Sequence, residues 1–253
     1  MSRAFEFPRS DEPFDFRRQA AIYGRYRRDY SPALYDAVAA HTGPAAGRRA
    51  LDVGCGPGLV TTTLRARGWR AIGADFSAAM LAAADPALPR VLARGEALPV
   101  RDASVALIAC GTAYHWLAPA DALREIRRVL VPGGHVALWW RYAVADEPSE
   151  RIARRALADV GHPLPDVVLM VHPEQPFAGA RGLVGLEPRV LDVVLEYGHD
   201  DYLGWASTIE TWRRLTGPDH PRFLARLAEL LRAELPDGVR ERNREYLFVA
   251  RAG

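Results

Sequence analysis

Three glycines crowd one short stretch of the chain, Leu51-Asp52-Val53-Gly54-Cys55-Gly56-Pro57-Gly58. An apolar run ends there and a helical pattern begins. The glycines let the backbone turn tightly and approach a ligand, and N–H groups at the helix start can face a negative group. Turns of this kind serve several nucleotide-like ligands. The dinucleotide pattern G-x-G-x-x-G/A would need Gly or Ala at position 59, where the chain has Leu59, and it tolerates Pro57 poorly. Asp75 closes the next apolar run, 23 residues after Asp52. A third run ends in Gly111-Thr112-Ala113-Tyr114-His115-Trp116. Histidine there can orient a ligand or move a proton near neutral pH, and tryptophan can wall it. Structural readings stand beside these: His115 bonded to backbone, Trp116 packed under the next helix. Tyr23, Tyr26 and Tyr30 are spaced to share a helix face, with Arg27 beside them. They read either as an aromatic face packed on the domain or as a cover over the site.

The elements that must hold these residues follow from periodicity. Residues 1–13 read as a loose arm. The pattern is helical from Phe14 to His41, with a break at Ser31-Pro32, where Ser31 suits an N-cap. Strands are expected at 50–53, 69–74, 90–93, 105–110, 135–140, 190–197 and 246–251. Helices are expected at 58–67, 77–84, 119–130, 149–160, 201–215 and 221–235. The alternation predicts a doubly wound α/β domain, residues 14–253, on a mostly parallel seven-stranded sheet with helices on both faces. The last strand is expected to run antiparallel. Residues 14–41 would form an N-terminal helical lid. Residues 144–187 read as an inserted cap, with a short Gly-rich helix near its end. Trp205 and Trp212, seven apart, would share one face of one helix. Ligands on such sheets bind beyond the carboxyl ends of the strands.

The glycine stretch resembles the first motif of class I S-adenosylmethionine-dependent methyltransferases. Other motifs of that family follow in order: Gly73-Ala74-Asp75-Phe76-Ser77, Arg94-Gly95-Glu96-Ala97-Leu98-Pro99, and the run from Glu125 to Trp140. The resemblance covers residues 20–143 well and the C-terminal third in outline. It implies S-adenosylmethionine as cofactor, held by Gly54, Cys55, Gly56 and Gly58, with Gly111 beside them. Asp52 would approach its ammonium and Asp75 its ribose hydroxyls. Phe76 and Met80 would flank the adenine, and Gly95 and Glu96 would meet its edge. The family often has Asp where this chain has Arg94, which shifts that contact toward the Gly95 N–H. The Tyr23–Arg27 element resembles a lid in which Arg27 pairs with the methionine carboxylate. The His115-Trp116 pair resembles small-molecule members of the trans-aconitate and biotin-pathway type, several of which esterify carboxylates.

The expected reaction is therefore methyl transfer to a small molecule, best a carboxylate oxygen. Hydroxyl, N- or C-methylation in natural-product biosynthesis, non-methylating cyclisation, and methylation of a nucleic acid are the alternatives. A carboxylate is ionised at pH 7 and needs no base, whereas a hydroxyl would draw on His115 as general base. The 253 residues suit one large domain, and the net charge of +2 gives no strong pull toward nucleic acid or anionic membrane. All 33 basic residues are arginine. Cys55 and Cys110 belong to no metal or disulfide pattern, and His162 and His172 lack ligand spacing, so no metal site is expected. No run reaches signal-peptide or membrane-spanning length, and a cytoplasmic location is expected.

Overall fold

The computed structural model describes residues 16–164 and 175–253. The expected arm lies outside the described residues. A sheet of eight strands forms the centre. β1 (Arg49–Val53) lies between β2 (Arg70–Asp75) and β4 (Val105–Gly111), parallel to both. β3 (Arg90–Leu92) adds outside β2, and β5 (Leu130–Ala143) outside β4. The final strand, β8 (Val239–Ala252), runs antiparallel to β5 as expected. β4 is buried from Val105 to Cys110, which accounts for its unbroken apolar run between two helical layers.

The strand count corrects the expected seven. β6 (Leu183–Gly185) and β7 (Arg189–Tyr197) both pair antiparallel with β8, one after the other along its outer edge. Leu186 N still donates to Val249 O, and Pro188, which has no N–H, stands just before β7 resumes. One edge position is thus filled by two pieces. β6 falls within the expected cap, so residues 183–185 of that segment belong to the sheet. The expected Gly-rich helix is also absent, since residues 175–182 form turns.

Helices α1 (Phe16–Tyr26) and α2 (Pro32–Thr42) precede the sheet. Ser31 caps α2, its hydroxyl accepting from Leu34 N at 3.2 Å. α3 (Leu59–Ala66), α4 (Ala78–Ala82) and α5 (Pro119–Val129) follow β1, β2 and β4. α6 (Pro148–Asp159), α7 (His199–Ala206), α8 (Glu210–Thr216) and α9 (His220–Glu234) come from the C-terminal half. Ile152, Leu157, Tyr202, Phe223 and Leu231 form their own apolar cluster beside Tyr197 and Val239.

The helix expected over 201–215 is two. Ser207 Oγ donates to Gly204 O and Thr208 Oγ1 to Trp205 O, so side chains take the carbonyls that a continuing helix would use. Trp205 and Trp212 therefore sit on different helices, with ring centroids 5.9 Å apart and edge to face.

Candidate active site

Chain order reverses between β1 and β4, and the glycine turn lies at that switch point. Gly54 N and Cys55 N both donate to Ala74 O, at 2.8 and 3.1 Å, so the end of β2 clamps the turn. Gly54 has φ +72°, and a Cβ there would overlap that of Ala113 on the neighbouring loop. At Gly56, φ +53°, a Cβ would meet nothing within 4 Å. The turn is thus packed on one side and open on the other. Gly58 then starts α3.

Asp75 joins the turn to the end of β2. Its Oδ2 accepts from Gly56 N and its Oδ1 from Ser77 N, both at 2.8 Å. Burial pushes its pKa up, against these N–H bonds. Phe76 follows with half its surface exposed, while Met80 on α4 is buried.

Two acids are turned elsewhere than the resemblance implied. Asp52 is 1 % exposed, and Thr61 Oγ1 donates to its Oδ2 at 2.7 Å. Burial raises its carboxyl to about 7, while side-chain and backbone bonds from Thr61 oppose the rise. Since Gly58 offers α3 no side-chain cap, Asp52 does so from inside the fold. Glu96 Oε1 accepts from Ala118 N at 2.9 Å, which fixes the loop before β4 to the start of α5. Arg94 is exposed, with Nε 3.6 Å from Glu96 Oε2. Gly95 is wedged between Leu117 and Val53. Cys55 turns its thiol inward, toward Gly73, where burial raises its pKa strongly, so only its backbone borders the turn.

The aromatic face splits three ways. α1 ends at Tyr26, so Tyr30 is not on it. Asp29 accepts from Tyr30 N at 2.8 Å and from Tyr35 Oη at 2.6 Å, and also from Thr63 Oγ1, which draws the chain out of the helix. Tyr23 lies 4.9 Å below the Arg27 guanidinium, and Tyr26 packs on Gly204 of α7. Tyr30 reaches the sheet, its hydroxyl 2.7 Å from Thr112 Oγ1. Arg27 donates to Thr208 Oγ1 and Thr208 O at 2.8 and 3.0 Å rather than pointing to the glycine turn. α1 nevertheless lies over that turn, since a Cβ on Gly24 would be 3.5 Å from Pro57 Cβ.

Gly111 ends β4 against Trp139 and Tyr30. Thr112 has φ +49°, a strained value for a β-branched residue, and its N–H donates to Trp139 O at 2.8 Å. His115 and Trp116 lie on the following short turn, ring centroids 5.2 Å apart. Trp140 Nε1 donates to His115 Nδ1 at 3.2 Å, and burial lowers the imidazole pKa to about 4. Trp116 is 41 % exposed, with the Arg214 guanidinium 5.8 Å from its ring.

The sequence reading passed over Trp140, Thr112 and the Arg141–Glu245 pair. Glu245 is fully buried and accepts from Arg141 Nε and Nη2 at 2.9 and 2.5 Å and from Ser31 N at 3.0 Å. Arg141 Nη2 also donates to Asp29 O at 2.6 Å. Glu245 alternates with outward residues on β8, and that inward polar position was the available signal. Among the described residues no three His, Cys, Asp or Glu cluster as a metal site would require, and no helix is long and apolar enough to cross a membrane.

Strand order, the glycine turn at the switch point and the acid ending β2 define a Rossmann-like methyltransferase fold. Residues 51–138 match the methyltransferase domain family. An uncharacterized methyltransferase of Mycobacterium bovis is 38 % identical over 135 residues, 52 % of this chain and 54 % of that protein. A malonyl-[acyl-carrier protein] O-methyltransferase of Enterobacter lignolyticus is 33 % identical over 160 residues, 59 % of this chain and 63 % of that protein. The chain thus spans about half the length of the first of these relatives. Among solved structures, a proposed type II methyltransferase from Anaeromyxobacter dehalogenans superposes with TM-score 0.65 at 24 % identity, covering 90 % of this chain and 97 % of that one.

Proposed function

We propose that this protein transfers the methyl group of S-adenosylmethionine to a small molecule, with a carboxylate oxygen as acceptor. The observation that carries the reading is the Gly56 N–H bond to Asp75 at 2.8 Å. It joins an open backbone turn and an acid into one cradle. Asp75 keeps lone pairs for the ribose hydroxyls, and the exposed Phe76 ring supplies a face for the adenine. Met80 backs that side from within, and Gly95 and Glu96 border the adenine edge through backbone. Gly54, Cys55, Gly56 and Gly58 form the wall under the methionine portion, with Gly111 beside it. α1 with Tyr23 covers the turn, and release of Arg27 from Thr208 would free its guanidinium for the methionine carboxylate. His115 and Trp116 border the acceptor side.

The bound sulfonium supplies an activated methyl group. The residues align the acceptor about 3 Å from it and keep water out. Relatives named as malonyl-[acyl-carrier protein] O-methyltransferases support an oxygen acid as acceptor. The near-neutral charge of +2 favours a small molecule over nucleic acid.

Calorimetry with S-adenosylmethionine and S-adenosylhomocysteine tests the proposal. Both should bind, and Asp75→Asn should weaken both roughly tenfold to a hundredfold, as expected for lost charged hydrogen bonds. No association with either ligand would overturn it. With S-adenosylhomocysteine bound, carboxylic acids should raise the melting temperature further.

A further inference from the structure

His115 is held by a group that can act in one sense only. An indole N–H donates and never accepts, so His115 Nδ1, 3.2 Å from Trp140 Nε1, must keep its lone pair. The single proton of the neutral ring then sits on Nε2. Trp140 is fully buried, edge-on to Tyr114 at 6.5 Å and to Phe248 at 6.0 Å, so the indole is boxed in. A proton on Nδ1 would set two N–H groups against each other. Burial already favours the neutral ring, and no charged side chain among the described residues contributes to that preference. Around the ring stand Trp116 from the same turn and Trp140 from β5. The α8 charges, Arg214 paired with Glu210, approach Trp116.

We infer that Trp140 is a positioning residue that locks His115 as a hydrogen-bond donor at Nε2, so the acceptor is an oxygen acid that arrives already ionised. This rests on the methyl-transfer reading above. A neutral imidazole with Nδ1 engaged and Nε2 protonated has no free lone pair to take a proton. It donates to one oxygen of the acceptor and orients the other. A lone pair of that second oxygen forms the O–CH3 bond. The C–S bond breaks with its electron pair passing to sulfur, the sulfonium becomes a neutral thioether, and no proton moves. A neutral alcohol or phenol would require a base that His115 does not supply.

Nitrogen-15 NMR of the full chain, with His115→Gln to assign the signal, reads the ring directly. His115 should show a protonated Nε2 and a bare Nδ1, with no titration between about pH 5.5 and 8. Trp140→Phe keeps an aromatic filler but removes the donor. It should give mixed tautomers and lower kcat without changing KM for S-adenosylmethionine, while burial keeps the ring neutral across the same pH range. His115→Gln, whose amide N–H reaches the place of Nε2–H, should keep activity within roughly tenfold, and His115→Ala should lose more. A proton on Nδ1 in the wild type would overturn the inference. So would a wild-type kcat that falls through one ionisation near pH 6 and becomes flat in His115→Gln. Failure to bind S-adenosylmethionine with the Nε2–H signature intact would instead sink the functional reading and leave the locked ring standing.

Discussion

Gly54 shows how narrow the tolerances are at single residues. Its φ of +72° disfavours any side chain, and the Ala113 methyl fills the space a Cβ would take. Gly54→Ala should destabilise the fold by about 1–3 kcal/mol and displace the loop that carries His115. Thermal denaturation and ligand calorimetry would register both effects, and unchanged values in each would contradict the packing described. The same contact explains what could be read in advance. Glycines at 54, 56 and 58 announce a turn because few other residues adopt these angles. The directions of Asp52 and Glu96 were not legible. Whether a carboxylate at a strand end faces ligand or helix depends on partners brought from elsewhere, Thr61 and Ala118. Trp140 sat inside an apolar strand pattern, where its polar N–H gave no sign of its partner.

At the scale of elements, α1 is held from two sides. It rests on Pro57 of the glycine turn and packs on α7 through Tyr26, while Arg27, just past its end, grips the loop after α7. Gly204 is the notch that receives the Tyr26 ring, so Gly204→Ala should push that ring away and loosen α1. Amide exchange should quicken in residues 19–26 while β1 and β4 stay protected; equal protection of α1 in variant and parent would argue against the notch. The two helices that form this grip were legible only as one. Apolar spacing runs unbroken from 201 to 215, and periodicity does not register that Ser207 and Thr208 spend their hydroxyls on helix carbonyls. The alternation of strands and helices up to β5 was legible, because each strand there is a distinct apolar run bounded by glycine, proline or a charged turn. β6 is Leu183-Val184-Gly185 inside a glycine-rich stretch that reads as turn, and its strand character comes from pairing with β8.

For the whole molecule, the acid–base balance of burial sets a stability profile. The Asp52 carboxyl is raised from 3.8 to about 7 in the fold. Between those values the native state holds a proton that the unfolded chain lacks, so this group costs stability as pH rises toward 7. His115 and His220 are lowered from 6.5 to about 4, so their contribution runs the other way and is lost as pH falls through that window. The opposing slopes should flatten the wild-type profile between about pH 4 and 6.5. Asp52→Asn removes one of them. The variant should gain on the parent at pH 8, with the gain shrinking as pH falls toward 4, measured by urea denaturation at several pH values. A gain independent of pH would mean that Asp52 is ionised throughout.

The two-piece outer strand bears on how copies of this chain behave in concentrated solution. On one face of β7 the exposed Val190 and Val194 alternate with Asp192 and Glu196, whose side chains are 82 % and 75 % exposed and pair with Arg244 and Arg240. A residue without an N–H stands where the two pieces meet. A second molecule approaching that rim finds an interrupted ladder, so strand-to-strand stacking into larger aggregates is discouraged by the same proline that splits the edge.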